Sequence, residues 1–87
     1  MDKVKEETRI AVLSIIVEDM GKTEELNQVI HSFAEYVIGR MGIPYRQKKL
    51  NIISLVVDAP QNVISTLSGK IGRIGGVTSK TAYAKTS

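Results

Sequence analysis

The chain has 87 residues, 43% of them hydrophobic, and a formal net charge of +3. This length fits one domain with a single core. The absence of cysteine excludes disulfides and thiolate metal sites, and the mild positive charge, spread along the chain, is typical of a solvated surface.

Residues 1–8 are polar and lack periodicity, so they are predicted to form a flexible leader before one domain at 9–87. The N-terminus has no apolar signal-peptide core, and no apolar run approaches the roughly 20 residues of a membrane span. We therefore expect a cytoplasmic protein with no membrane partner.

The first predicted element is a strand at 9–17, RIAVLSIIV, in which both faces are apolar. One face carries Ile10, Val12 and Ile16, and the other carries Ala11, Leu13, Ile15 and Val17.

The segment 21–37 changes to a helical period. Thr23 is predicted to cap this helix, with Glu24 and Glu25 in the first turn, where the helix dipole favours negative charge. The apolar stripe consists of Leu26, Val29, Ile30, Phe33 and Val37.

A predicted strand at 37–45 contains Pro44, which lacks the backbone N–H that a central strand would donate, so it is predicted to lie at the edge of the sheet. After a polar turn, a strand starting at Asn51 is again apolar on both faces, with Ile52 and Val56 on one and with Ile53, Leu55 and Val57 on the other.

For the second helix, Asp58 is predicted as the cap and Pro60 as part of the first turn. Its stripe consists of Val63, Ile64, Leu67 and Ile71. Gly75 or Gly76 suits a left-handed position at the helix end, and 77–85 suits a second edge strand.

The predicted order is βαββαβ, an α+β ferredoxin-like split-βαβ plan with a four-stranded antiparallel sheet and two helices on one face. The first and third strands are central in this plan, and they are the strands with two apolar faces. The helices leave the other face open, so we expect a homo-oligomer, a dimer or tetramer. Its contact face includes some of Ile10, Val12, Ile16, Ile52 and Val56, or else their counterparts on the other face of the two central strands.

Two similar pentapeptides, IGRMG at 38–42 and IGRIG at 71–75, are 33 residues apart, whereas the similar strand segments at 14–19 and 54–59 are 40 apart. A simple tandem duplication would keep one offset. We therefore predict that the pentapeptides are not structural equivalents, the first lying in an edge strand and the second in the last turn of a helix.

No catalytic or metal-binding set of residues stands out in the sequence, and no cofactor is expected. GKT at 21–23 lacks the earlier glycine of a phosphate-binding loop, because Ile16 occupies that position. His31 is the only histidine, and a single histidine does not make a metal site.

Two segments are candidate binding sites. The loop Glu18, Asp19, Met20 and Gly21 precedes a helix whose first amides could receive an anionic group, although an ordinary turn explains it as well. Arg40, flanked by Gly39 and Gly42, could bind an anion, pair across a subunit boundary or be solvated.

The segments RIAVLSIIVED, YVIGRMGIPY, NIISLVVDAP and GKIGRIGGV together resemble a small family described as iron-only hydrogenase system regulators. That family is similar in fold to ACT domains and to the C-terminal domain of the nickel-responsive repressor. The resemblance implies a non-enzymatic module that oligomerises through its sheets, and an ACT-like effector loop that would include Asp19 and Gly21.

The resemblance to the repressor does not extend to its metal or its DNA-binding domain. The hairpin that carries nickel ligands there offers Ile43, Tyr45, Arg46 and Leu50 here, so nickel binding is not expected. Only eight residues precede the first predicted strand, so direct operator binding is not expected either.

Three functional hypotheses follow from the sequence, and a fourth, enzyme catalysis on the ferredoxin-like sheet, has no set of residues behind it. The first is a sensor that binds a small, amino-acid-like effector at a subunit interface and signals to a hydrogenase-system protein. The second is an accessory protein acting by contact in hydrogenase assembly. The third is weak nucleic-acid binding through the basic groups near Arg46 and Arg73.

Overall fold

The computed structural model describes residues 7–85, within which the chain forms four strands and two α-helices. Most of the leader predicted at 1–8, namely residues 1–6, lies outside the described residues. The elements in chain order are β1 (Arg9–Val17), α1 (Thr23–His31), β2 (Val37–Tyr45), β3 (Leu50–Ala59), α2 (Gln61–Gly72) and β4 (Val77–Tyr83).

The strands of the described residues form one antiparallel sheet in the order β2-β3-β1-β4. The strands with two apolar faces, β1 and β3, are central, and the strand with Pro44 is at an edge. The predicted α+β ferredoxin-like fold is therefore confirmed.

The core lies between the helices and one sheet face. On that face β1 and β3 contribute alternate side chains that are almost completely buried, in keeping with the two-residue period of a strand. The helices cover them with their apolar stripes. The sheet residues are Ala11, Leu13, Ile15, Val17, Ile53, Leu55, Val57 and Ala59, and the helix residues are Leu26, Ile30, Ile64, Leu67 and Ile71.

The first helix differs from the prediction at both ends. Thr23 does not cap it, because its backbone is already helical (φ −61°, ψ −41°), whereas a capping residue is extended. Its Oγ1 is buried without a hydrogen-bond partner among residues 7–85. At the other end, Phe33 leaves helical geometry (φ −112°, ψ 21°), so the predicted helix over 21–37 ends at His31 and continues only as a 3₁₀ turn, Ala34–Tyr36.

The start of the second helix was also predicted wrongly. Asp58 is an exposed residue of β3 and not a cap, because the strand continues to Ala59, which pairs with Arg9. Pro60 is the extended N-cap residue and does not belong to the first turn.

The glycine predictions hold at the end of α2. Gly76 is left-handed, with φ +79°. The two pentapeptides are not structural equivalents: the first lies in β2, and the second spans the last residues of α2 and the turn after it.

No helix within residues 7–85 has both the length and the apolar composition needed to cross a membrane.

Candidate functional site

The loop after β1 is held by hydrogen bonds within the chain. Asp19 is extended and caps a 3₁₀ turn, Met20–Lys22, by accepting at Oδ1 from the backbone N–H of Gly21 at 3.0 Å. The backbone N–H groups of Glu18 and Asp19 donate to the carbonyl oxygen of Gly76 at 2.7 and 3.3 Å. These loop amides therefore already have acceptors; the prediction concerned the first amides of the helix, of which that of Thr23 donates to the carbonyl oxygen of Met20.

Among the side chains of the loop, that of Met20 is 47% exposed. Met20 lines a pocket of about 380 Å³ together with the β2–β3 hairpin. The hairpin contributes apolar groups and two cations, namely Pro44, Tyr45, Arg46, Lys49 and Leu50.

The predicted trio around Arg40 does not form a single site. Arg40 pairs with Leu55 and so lies on the sheet face that the helices cover, where its Nη2 donates to Asn27 Oδ1 at 2.5 Å. Gly39 pairs with Val56, on the opposite face, beside a bulge in β2. Gly42 pairs with Ile53, and a Cβ there would only touch that side chain, at 4.0 Å.

Arg40 instead belongs to a groove of about 650 Å³ between α1 and β2, which we call the α1–β2 groove. Ile30 and Val37 contribute its apolar lining, with Ile30 nearly buried and Val37 half-buried. The lining residues from α1 and from the turn after it also include Glu24, Asn27, Gln28, His31 and Ala34.

This groove was not predicted, because Glu24 and His31 had been interpreted as unrelated surface residues. A signal was present: positions 24, 27, 28 and 31 follow i, i+3, i+4, i+7 spacing and form one polar face of α1. The sequence could not show that β2 would bring Arg40 to that face.

The sheet face without helix cover in the described residues, which we call the open face, has a row of isoleucines. Ile52 pairs with Ile43 on one side and with Ile16 on the other, and the three are 37%, 52% and 39% exposed. The structure places all the predicted face residues on this side, with Ile10, Val12 and Val56 half-buried there.

Met41, 63% exposed in β2, also belongs to the open face but was not predicted. Its alternation with Ile43 could have identified it. Ser14 and Ser54 pair with each other on this face. They interrupt only this side of the two central strands, which was a further signal that this side is not the core.

Basic residues gather at one end of the sheet. Because Val17 pairs with both Asn51 and Val77, the hairpin turn before β3 and the turn after α2 lie at the same end. This end carries Arg46, Lys48, Lys49 and Arg73. Among residues 7–85, no group of three or more His, Asp or Glu side chains is arranged to hold a metal ion.

Residues 9–81 match the TM1266-like family, described as "Iron-only hydrogenase system regulator, putative". The fold is similar to the structure of uncharacterized protein TM1266 from Thermotoga maritima, with 36% identity and a TM-score of 0.87, covering 91% of this chain and 100% of that one.

A more distant structural neighbour is a formyltetrahydrofolate deformylase from Pseudomonas putida KT2440, with 14% identity and a TM-score of 0.61. The likeness covers 84% of this chain and 28% of that chain, and it concerns the fold alone. A comparison with curated proteins found no significant match.

Proposed function

Because this chain belongs to the TM1266-like family of iron-only hydrogenase system regulators, we propose that it is a regulatory module that forms a homo-oligomer and binds a small effector at a subunit interface. The choice of a binding role over a catalytic one rests on the description of the family. The observation that carries the oligomer is the row Ile16, Ile52 and Ile43 on the open face.

A second copy of the chain is the occupant that we assign to this face. The row itself runs without a break across β2, β3 and β1, with Met41 beside it on β2, while Ser14 and Ser54 separate it from the half-buried Val12 and Val56. Burying a few hundred Å² of apolar surface contributes several kcal/mol, at about 25 cal/mol per Å², before the costs of association are subtracted. A two-fold contact would place the same row on both sides of the interface.

The effector site that we propose is the pocket beside Met20. Arg46 and Lys49 supply positive charge for a carboxylate, and Tyr45 and Leu50 supply apolar contact, which suits an amino-acid-like molecule. Tyr45 follows Ile43 on the same side of β2, so the pocket adjoins the open face. Binding there would change the interface, and the change in association would be read by a protein of the hydrogenase system.

The test is a thermal-shift screen of the full chain against amino acids, nucleotides and divalent metals, with the oligomer mass measured in parallel by light scattering. A ligand at 100 times its Kd adds about 2.7 kcal/mol of stability, which should raise the Tm by roughly 10 °C or more. We expect an oligomer and a shift with one class of amino acid. A strict monomer would contradict the proposal. An oligomer without any shift would favour an accessory protein that acts by contact.

Nucleic-acid binding is a second candidate, favoured by the shared position of Arg46, Lys48, Lys49 and Arg73 at one end of the sheet. It requires retention on duplex DNA at low salt and steep loss of binding as salt rises. Absence of retention at low salt would eliminate it.

A further inference from the structure

We propose that the α1–β2 groove is a binding site for a small organic monocarboxylate with an apolar body. The groove is formed within one chain, so this inference does not depend on the proposed assembly or on the pocket beside Met20. It assigns a binding role to Arg40 together with Asn27, His31 and Glu24.

Arg40 is linked to α1 by a hydrogen bond to Asn27. Its guanidinium has five N–H donors in a planar fork, and the hydrogen bond to Asn27 uses one of them. Because Asn27 Oδ1 accepts this bond, its Nδ2 group remains a donor beside the cation. The pair therefore presents neighbouring donors at an exposed position of the groove, of the kind that a carboxylate accepts in two parallel hydrogen bonds.

The groove also has an apolar surface that an apolar part of a ligand could contact. Ile30 and Val37 give the groove an apolar lining between the polar groups of α1 and Arg40. The volume of about 650 Å³ is within the usual range for small-molecule sites. A branched aliphatic body of a few carbon atoms could cover this lining and displace water from it.

The charged and polar side chains of α1 along the groove should discriminate between ligands of different charge. Glu24 and His31 are seven residues apart on α1, which is about 10.5 Å along a helix axis. Asn27 lies between them. A ligand carboxylate bound beside Asn27 would therefore have the ring N–H donor of His31 towards one end of the groove and the negative side chain of Glu24 towards the other. A second negative charge on the ligand would meet Glu24, and the groove therefore favours a monocarboxylate over a dicarboxylate.

The test uses ¹⁵N amide NMR on the full chain with isovalerate as the probe. Its neutral isostere isovaleramide and the dicarboxylate succinate serve as ligand controls. We expect saturable shifts centred on Asn27, His31 and Arg40, with both controls binding at least about 10-fold more weakly. Isovaleramide lacks the charge that strengthens the hydrogen bonds to Arg40, an effect of this order, and succinate brings a second negative charge towards Glu24.

The variant Arg40→Gln should weaken isovalerate binding by about 10-fold or more. The control Lys85→Gln removes a positive charge at an exposed position beyond the end of β4 and should leave binding unchanged. Asn27→Asp is a second variant that keeps Arg40, and its new carboxylate should compete with the probe. These spectra also report whether each variant is folded.

Three results would overturn the inference. The first is binding that does not saturate up to about 10 mM isovalerate, a concentration limit chosen because small fragments bind weakly. The second is a set of shifts centred on Met20 and the hairpin. The third is unchanged isovalerate affinity in both groove variants. Shifts at the hairpin alone would support the effector site under Proposed function while removing this one, so the two proposals fail separately.

Discussion

Gly76 lies so close to Asp19 that a Cβ on the glycine would come within 2.5 Å of the Asp19 Cβ. The turn after α2 therefore packs directly on the loop after β1. The carbonyl oxygen of Gly76 accepts from the backbone N–H groups of both Glu18 and Asp19. The loop that we place beside the effector pocket is thus held by a turn at the other end of the sequence.

Replacing Gly76 by alanine should destabilise the protein markedly. The φ of +79° is strained for any residue with a Cβ, and the contact with Asp19 adds steric overlap. We expect the free energy of unfolding to fall by about 1–3 kcal/mol or more, which lowers the Tm by roughly 5 °C or more. Gly75→Ala is the matched control, because a Cβ there meets no atom within 4 Å. Equal effects of the two substitutions on urea unfolding would contradict this explanation.

Asp19→Ala should remove the side-chain cap of the 3₁₀ turn. The carboxylate accepts from Gly21 N–H at 3.0 Å, and loss of such a cap lowers stability by about 0.5–2 kcal/mol. Asp19→Asn keeps an acceptor oxygen and should retain most of that stability. Denaturant unfolding measures both values. If Asn is as destabilising as Ala, then the charge of Asp19, and not its capping bond, is what matters.

Leu67→Ala should test the packing of α2 on the sheet. Leu67 is 1% exposed within the core, and truncating a buried leucine lowers stability by about 2–5 kcal/mol. This loss could unfold a domain of this size. The adjacent Ser68→Ala, on the same helix but outside the core, should change stability by no more than about 0.5 kcal/mol. Circular dichroism during thermal unfolding gives the comparison, and a mild Leu67 variant would show that the helix packs differently.

Ile52→Lys should disrupt self-association while leaving the fold intact. Ile52 is at the centre of the isoleucine row on the open face, and a lysine there would place a desolvated charge in the interface. We expect the mass in solution to fall to that of the monomer by light scattering, with an unchanged circular dichroism spectrum. Asn62→Lys adds the same charge on an exposed position of α2 and should leave the mass unchanged. An Ile52 variant that keeps the full oligomer mass would rule out this face as the interface.

The caps were the weakest part of the sequence-based prediction. Thr23 and Asp58 are both residue types that favour capping, yet neither caps a helix: Thr23 is already helical and Asp58 lies in β3. Asp19 caps a 3₁₀ turn ahead of α1, and the ladder between β1 and β3 extends through Ala59 before α2 begins. Local propensity is weaker than the hydrogen bonds of a continuing strand, so the tertiary pairing determined these boundaries.

The sites illustrate a different limit. Loop 18–21 was predicted from its place before a helix, but the sequence did not show that the turn at Gly76 would accept hydrogen bonds from the amides of Glu18 and Asp19. Arg40 was grouped with its sequence neighbours Gly39 and Gly42, although strand alternation puts Gly39 on the other face. Contacts between distant segments, such as Arg40 with Asn27, are not encoded in any local period.

The sequence by itself determined the element order, the two apolar faces of β1 and β3 and hence their central place in the sheet, because strand and helix periods are local properties of the chain. Only the tertiary structure decided which face the helices cover, where Arg40 meets α1, and which amides of the loop after β1 are hydrogen-bonded to the turn at Gly76. Alternation shows which side chains share a face, but two apolar faces are equivalent until the stripes of α1 and α2 pack against one of them. That packing left the isoleucine row uncovered within the described residues.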